Sequence, residues 1–560
     1  MRDLGWNTGK VQLATASIAV FAIAIALRAP SCYESFWVDE LHSAWCVWNG
    51  LGDVAPRADS GHQSPFYFVG LWFWKQCFGG SELALRFSSV LCVAASCVVL
   101  TVGTARHSGS LLAGFTAGMI LAIEENSLFF GTELRPFAVV MLLASMASVC
   151  FLRLASCVSR HDDRSAWVTM IVTILLAGLS QPTSLGALLL LPIMLIGIWL
   201  LRDPRSLLRI SLADGILLLG GAAVLFSLWS MTLDESWGQR HAWASFASAT
   251  SLVEVWQVWQ WTWLWILPVA TLIIVVCNRD RSALQVAWPL LALAIIPVAG
   301  TLGYWTVSKI EWLPLWHRRY FIAVLPMFAT LAGGAVGAVV AVEKLRAIGV
   351  VVAITLVVGI CYHQRLYRPI LRYPVPLVRR GEDWRGAIQW VRSNVNSQDA
   401  LFLEAGLIES RFVAMANQQQ REFLLYPVSG PYQVDQLVTP IDASLDLPAR
   451  VLYDDQKQVF LIVRRSANRI PIDSTKWGWV YGNRLVGDVK SFGNVTVIRM
   501  PRPLGDKQRE PAGPSAGSLR LFQLPLQLSN FKPTGFGQIE LQAVCQRHVG
   551  GSRIRTEACR

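Results

Sequence analysis

The chain has 560 residues, of which 53% are hydrophobic and only 15% charged. Soluble domains carry about 25% charged residues, so one large water-soluble core is excluded, and a mean hydropathy of +0.43 agrees. The formal net charge of +12 does not point to nucleic acid, because the basic residues are scattered in short segments between apolar runs, the arrangement that orients membrane proteins.

Arg2 and Lys10 precede an apolar run from Val11 to Leu27. This has the look of a signal peptide, and the many later apolar runs make it a retained anchor. A hydrocarbon core needs about 20 apolar residues per helix. Spans are expected at 11–29, 83–104, 109–126, 134–155, 166–180, 184–201, 207–231, 257–277, 284–305, 319–341 and 346–362, about eleven in all. The stretch 66–78 (FYFVGLWFWKQCF) is too short and too aromatic to span. Its Trp72, Trp74 and Lys75 suit a helix lying in the interface.

With the N-terminus inside, every inner loop carries positive charge: Arg106, Arg153, Arg160, Arg164, Arg202, Arg205, Arg209, Arg279, Arg281, Lys344 and Arg346. The outer loops are then 30–82, 127–133, 181–183, 232–256 and 306–318. An odd number of spans places everything after residue 362 outside.

Residues 363–500 change character. Glu382 to Val395 has the pattern of an amphipathic helix, and Leu401–Leu403, Val459–Val463 and Val495–Ile498 have that of short strands. The expectation is an all-α polytopic membrane domain over 1–362, followed by a small extracytoplasmic α/β domain over 363–500. Residues 501–560, rich in Pro, Gly, Ser and Gln, read as a mostly disordered tail. There are 11 cysteines, with no CxxC pair and no metal-ligand spacing. Cys32 and Cys46 share the first outer loop, where a disulfide is one open reading.

That loop is long and polar. It contains FWVDELHSAW, GHQSPFYF and GGSELALRFSSV. Its Asp53 and Asp59 read as solvated acids. Asp39 and Glu40 lie between Phe36-Trp37 and Leu41, just after the first span. Desolvation between aromatics raises a carboxyl pKa and suits proton abstraction. The alternative is that Asp39 caps the following helix, a common task for Asp.

The order WVDE, HQSPFYF, GGSELALRFSSVL, ENSLFFGTELRPFAV and LPLWHRRYFIAVLPMF resembles the GT-C fold glycosyltransferases, above all the protein O-mannosyltransferase and aminoarabinose transferase branch. The segment EDWRGAIQWVRS resembles the C-terminal domain of bacterial members. The resemblance implies an enzyme of the plasma or inner membrane that takes a monosaccharide from a polyprenyl-phosphate carrier. The acceptor would be a glycan, lipid or protein hydroxyl on the outer face, and the transfer would invert the anomeric carbon. A divalent metal is a further possibility the resemblance leaves open. Such a transfer needs a carboxylate to take the acceptor proton and cations to hold the leaving phosphate. Outer-side cations are Arg57, Lys75, Arg86, Arg135, Arg240, His241, Lys309, His317, Arg318 and Arg319.

By the resemblance, Asp39 is the general base, with Glu40 orienting an acceptor or a metal. His62 stands where the family usually has His-Pro-Pro, from which this chain departs by one position; site residue and loop histidine are both open, while Pro65 starts the interfacial helix. Glu133, Arg135 and Pro136 match the family's E-x-R-P. Arg135 either grips phosphate or pairs with Glu133. Glu124-Glu125, just upstream, reads as a solvent-exposed pair. Arg319 and Tyr320 match the family's Arg-Tyr, where Arg319 either meets phosphate or snorkels to headgroups. Many members carry a histidine near the start of the span after Gln181-Pro182-Thr183, and this chain has none. Trp256–Trp265 reads as an aromatic belt, whereas Trp237 and Trp243 suit stacking on a sugar.

Two other classes fit less well. A transporter or flippase of a lipid-linked sugar needs charges deep in several spans, and most mid-span positions here are apolar. A membrane-anchored binding protein leaves the acidic first loop unexplained.

Overall fold

The structure, a computed structural model, describes residues 2–157, 163–202, 221, 223, 247–406, 416–448 and 457–503, apart from 467, 468, 471, 476, 477, 482 and 483. Seven helical segments are long and apolar enough to cross a membrane: Gly9–Tyr33, Glu82–Ser108, Phe137–Ser156, Pro182–Arg202, Arg281–Lys309, Ile322–Ala341 and Glu343–His363. Shorter apolar helices cover Leu111–Ile123, Arg164–Ser180 and Thr262–Cys277. Ten of the expected spans fall on these helices. The expected span 207–231 lies almost wholly outside the described residues, as do Trp237, Arg240, His241, Trp243 and the expected tail from 504 onward.

The first helices are α1 (Arg2–Arg28), α2 (Val38–Trp48), α3 (Leu51–Ser60), α4 (Pro65–Phe78), α5 (Glu82–Ser108), α6 (Leu111–Ile123), α7 (Glu125–Phe130), α8 (Phe137–Ser156) and α9 (Arg164–Ser180). Local chemistry sets their ends. Ser64 accepts from Phe66 N and is followed by Pro65 at the first helical position, which fixes the start of α4 as a separate helix. Ser81 and Ser110 cap α5 and α6 in the same way, and Asp280 caps Arg281–Lys309.

The helix Leu325–Ala341 is the centre of the bundle, and the apolar window that includes it is wholly buried. Small residues let α6 approach it closely. A Cβ at Gly333 would lie 2.5 Å from Ala113 O, so only glycine fits there.

The chain after residue 381 forms the strands β1 (Ala400–Glu404), β2 (Val438–Pro440), β3 (Val459–Val463), β4 (Asp488–Phe492) and β5 (Val495–Met500). They make a five-stranded sheet in the order β2-β1-β3-β5-β4. β1 runs parallel to β2 and β3, and β5 runs antiparallel to β3 and β4. The helices Trp384–Asn394 and Gln418–Ser429 pack with this sheet. The polytopic helical domain and the strand-containing C-terminal unit are thus as expected.

The C-terminal unit and the first loop share one hydrophobic core. Phe36, Leu41 and Trp45 of the loop cluster with Trp384, Ile388, Phe423 and Phe460. Trp45 stacks on Phe423 with ring centroids 5.1 Å apart. The loop 30–82 is therefore a helical platform built jointly with residues far down the chain. Cys32 and Cys46 are free and buried. Cys32 Sγ donates to Arg28 O, and Cys46 Sγ lies 3.8 Å from the His42 ring nitrogens, so the disulfide reading is corrected.

Candidate active site

The segments 30–82, 124–136 and 317–320 meet at one end of the bundle, and α2 is the element around which they gather. Its first turn carries both members of the acidic pair, which do opposite things.

Glu40 is fully buried. Arg86 donates to it through Nε to Oε1 at 2.9 Å and through Nη2 to Oε2. Leu134 N donates to Oε1 at 3.0 Å and Trp37 N to Oε2 at 3.3 Å. Arg86 in turn donates to the carbonyls of Ser35, Cys32 and Ser31. Glu40 thus returns to the backbone at the start of α2, the helix-start task that the sequence reading offered as the alternative for Asp39. Its oxygens are taken by four protein donors. Where the expectation was that Glu40 orients an acceptor or a metal, the structure uses its carboxylate as a buried anchor of α2.

Asp39 points the other way, and its side chain is 22% exposed. Arg319 Nη1 donates to Oδ2 at 3.1 Å, and Arg135 Nη2 stands 3.5 Å from the same oxygen. Burial alone pushes this carboxyl up, but Arg135, Arg319 and, further off, Arg464 outweigh it and hold the pKa at about 2. The expectation of a raised pKa is thereby corrected. The sequence places both arginines nearly 100 residues or more from Asp39, so no local pattern brings their charges to it.

Arg135 also donates to Gln63 Oε1 at 2.8 Å, and Arg319 lies over the Tyr320 ring with its guanidinium carbon 5.3 Å from the centroid. Arg135 therefore takes Asp39 and Gln63 as partners. His62 adopts a left-handed backbone, φ 52°, and its N–H donates to Asp59 O. It turns the chain so that the next residue, Gln63, reaches Arg135.

Glu133 is buried, and its Oε2 has no hydrogen-bond partner among the described residues. Burial, reinforced by the charge of Asp39 and opposed by Arg380 and Arg135, raises its pKa to about 7. Glu124 is fully buried too, which corrects the expectation of a solvent-exposed pair. It caps α7 by accepting from Ser127 N at 2.8 Å and takes a second bond from Asn126 Nδ2. Its pKa is pushed up to about 7 by that burial. Glu125 pairs with Arg318 at 3.4 Å, and Arg318 also donates to Asn126.

Among the other expected cations, Arg57 donates to Trp45 O, Lys75 to Val47 O and Lys309 to Thr250 O. Three residues outside the sequence expectations complete the site. Glu382 accepts from Val38 N at 3.0 Å, from Trp384 Nε1 at 2.9 Å and from Arg464 Nε at 2.6 Å. The α/β unit thus grips the first turn of α2. Arg380 donates to Phe129 O and Thr132 Oγ1, and its N–H donates to Glu34. The signal for Glu382 was the EDWRGAIQWVRS segment itself, which begins there; Arg380 and Arg464 lie outside it.

Among the described residues, no three His, Cys, Asp or Glu side chains are placed to hold a metal ion. The exposed carboxylate of the site is instead partnered by two guanidiniums.

No protein-family model and no curated protein matches the chain. Among solved structures, it is similar to ArnT from Cupriavidus metallidurans in the apo state, at 15% identity and a TM-score of 0.48, over 89% of this chain and 98% of that one. The same enzyme bound to undecaprenyl phosphate gives 15% identity, a TM-score of 0.46 and the same coverage. The oligosaccharyltransferase of Archaeoglobus fulgidus in the apo form gives 13% identity and a TM-score of 0.40, over 77% of this chain and 65% of that one.

Proposed function

We propose that this chain is an integral-membrane glycosyltransferase that moves a monosaccharide from a polyprenyl-phosphate carrier to an acceptor hydroxyl on the extracytoplasmic side. The observation that carries this reading is the Asp39 carboxylate set between Arg135 and Arg319, at 3.5 and 3.1 Å. A single inverting displacement needs one carboxylate and a cationic cradle in one place, and this cluster supplies both.

The chemistry follows from the sharing of these arginines. With no donor, the two guanidiniums neutralise Asp39 and depress its basicity. A donor phosphate is a stronger competitor for Arg135 and Arg319, because guanidinium matches phosphate bidentately. As they turn to it, Asp39 loses its counter-charges, and its pKa rises toward the range where it accepts a proton. The acceptor hydroxyl then gives its proton to Asp39 and attacks the anomeric carbon. The bond to the carrier phosphate breaks, and the arginines hold the released phosphate charge. Donor binding thus switches on the base. Gln63 steadies Arg135 from behind, and Tyr320 supports Arg319.

The test is to incubate the purified full-length protein with a panel of polyprenyl-phosphate sugars and membrane extract, and to identify product by mass. A covalent product with the carrier phosphate released is expected. Movement of labelled lipid across liposomes with no covalent product overturns the proposal in favour of transport.

A further inference from the structure

Between the last span, Glu343–His363, and the α/β unit runs HQRLYRPILRYPVPLVRR, residues 363–380. It holds five arginines and no acidic residue. Arg365, Arg368, Arg372 and Arg379 are exposed. Arg365, Arg368 and Arg372 have no carboxylate partner within 4.0 Å among the described residues; Arg368 instead donates to the Tyr367 hydroxyl and lies over its ring. Interleaved with these cations are exposed apolar groups: Leu371 at 83%, Tyr373 at 58% and Ile370 at 41%. Tyr362 and Tyr367 stack on each other at the end of the span.

Water is a poor solvent for this surface, and so is hydrocarbon. Exposed aliphatic and tyrosyl groups alternating with exposed guanidiniums suit the headgroup layer, where the apolar parts reach the acyl boundary and the cations meet phosphate. The segment's position directly after a span puts it at that depth. Its C-terminal end reaches the candidate active site, where Arg380 is bonded to Phe129 and Thr132, and Val378 O accepts from Ser31.

We propose that residues 363–380 form a rim that binds anionic phospholipid headgroups of the surrounding bilayer, beside the mouth of the Asp39 site. A cluster of arginines close to a charged surface gains attraction with each cation, and that gain is lost when salt screens it.

The test uses the full-length protein in detergent, titrated with phosphatidylglycerol and with phosphatidylcholine under native mass spectrometry. Phosphatidylglycerol is expected to bind on the order of tenfold more tightly, with the preference shrinking as ionic strength rises. The variant carrying Arg365→Gln, Arg368→Gln and Arg372→Gln is expected to lose the preference. Equal binding of the two lipids by the unaltered protein, or an unchanged preference in the variant, overturns the proposal. A photoreactive residue at Leu371 gives a readout that does not depend on the triple variant folding. A phosphatidylglycerol adduct there supports the proposal, and a reconstituted protein that yields none overturns it. Loss of that adduct when equimolar polyprenyl phosphate is present during irradiation identifies a carrier site instead, and overturns the assignment to bulk headgroups.

Discussion

Asp39 and Arg319 lie 280 positions apart in the chain, yet their side chains are joined by a 3.1 Å hydrogen bond at one end of the helical bundle. This pairing ties the first loop to the turn before the central helix Leu325–Ala341. It also sets the resting charge state of the residue proposed to take the acceptor's proton.

Replacing Asp39 with Asn keeps the size of the side chain and removes its basicity. Sugar transfer is expected to fall by about 10²–10⁴-fold, while membrane insertion and donor binding persist. Product formation and donor binding, measured side by side, check this. Turnover at the unaltered rate would rule out Asp39 as the base.

The pair of arginines makes a prediction about pH. Asp39 is ordinarily near 3.8 and is held at about 2. Its depressed value stabilises the fold in full above 3.8, and that stabilisation is lost as pH falls through about 2. Arg135→Gln removes one of the two counter-charges, so the carboxyl rises toward its ordinary value. The acid limb of the transfer rate is then expected to shift to higher pH. A pH–rate profile in which the acid limb does not move would show that Arg135 does not set the charge of Asp39.

Glu133 gives the opposite sign. Its raised value, about 7 against an ordinary 4.5, means that the folded state keeps a proton the unfolded chain releases. The associated stability is present in full below 4.5 and lost as pH rises through 7. Glu133→Gln, which mimics the protonated form, is expected to raise the thermal midpoint at pH 8 relative to the unaltered protein and to leave it near unchanged at pH 4. Thermal unfolding in detergent at the two pH values measures the difference.

Glu40→Gln strikes at the buried anchor. Removing the charge from one side of a fully buried, bidentate pair costs about 3–5 kcal/mol, because Arg86 is left without its partner. A lowered unfolding temperature and poor recovery from membranes are expected. An unaltered midpoint combined with lost transfer would instead place Glu40 in direct contact with substrate.

The membrane architecture was legible because span length and loop charge are local properties of a sequence. The helices at 83–104, 134–155 and 284–305 needed only hydropathy, and the start of the separate helix at 65–78 was marked by Pro65. The gathering of Asp39, Arg135 and Arg319 was legible only through the order of motifs, since no local pattern relates residues so far apart. The division of labour inside Asp39-Glu40 was not legible at all. Adjacent positions on a helix point about 100° apart, and which one meets Arg86 depends on how α2 packs on α5. Glu124 was misjudged for a related reason. Its neighbour Glu125 does face the polar end, while Glu124 turns inward to cap α7. Glu382 and Arg464 come from the α/β unit and Arg380 from the segment leading into it, where a basic or acidic residue looks like ordinary surface until the unit is docked.

The stacking of Trp45 on Phe423 has a consequence for how much of the chain this protein can dispense with. Residues that belong to the loop after the first span find their apolar partners in a unit that begins after the last one. A chain ended at residue 362 would keep every membrane-crossing helix, yet it would leave Phe36, Leu41 and Trp45 facing water and the first turn of α2 without Glu382. The two regions thus become interdependent during biosynthesis: the start of the chain must wait for its C-terminal third before its proposed catalytic helix is held in place.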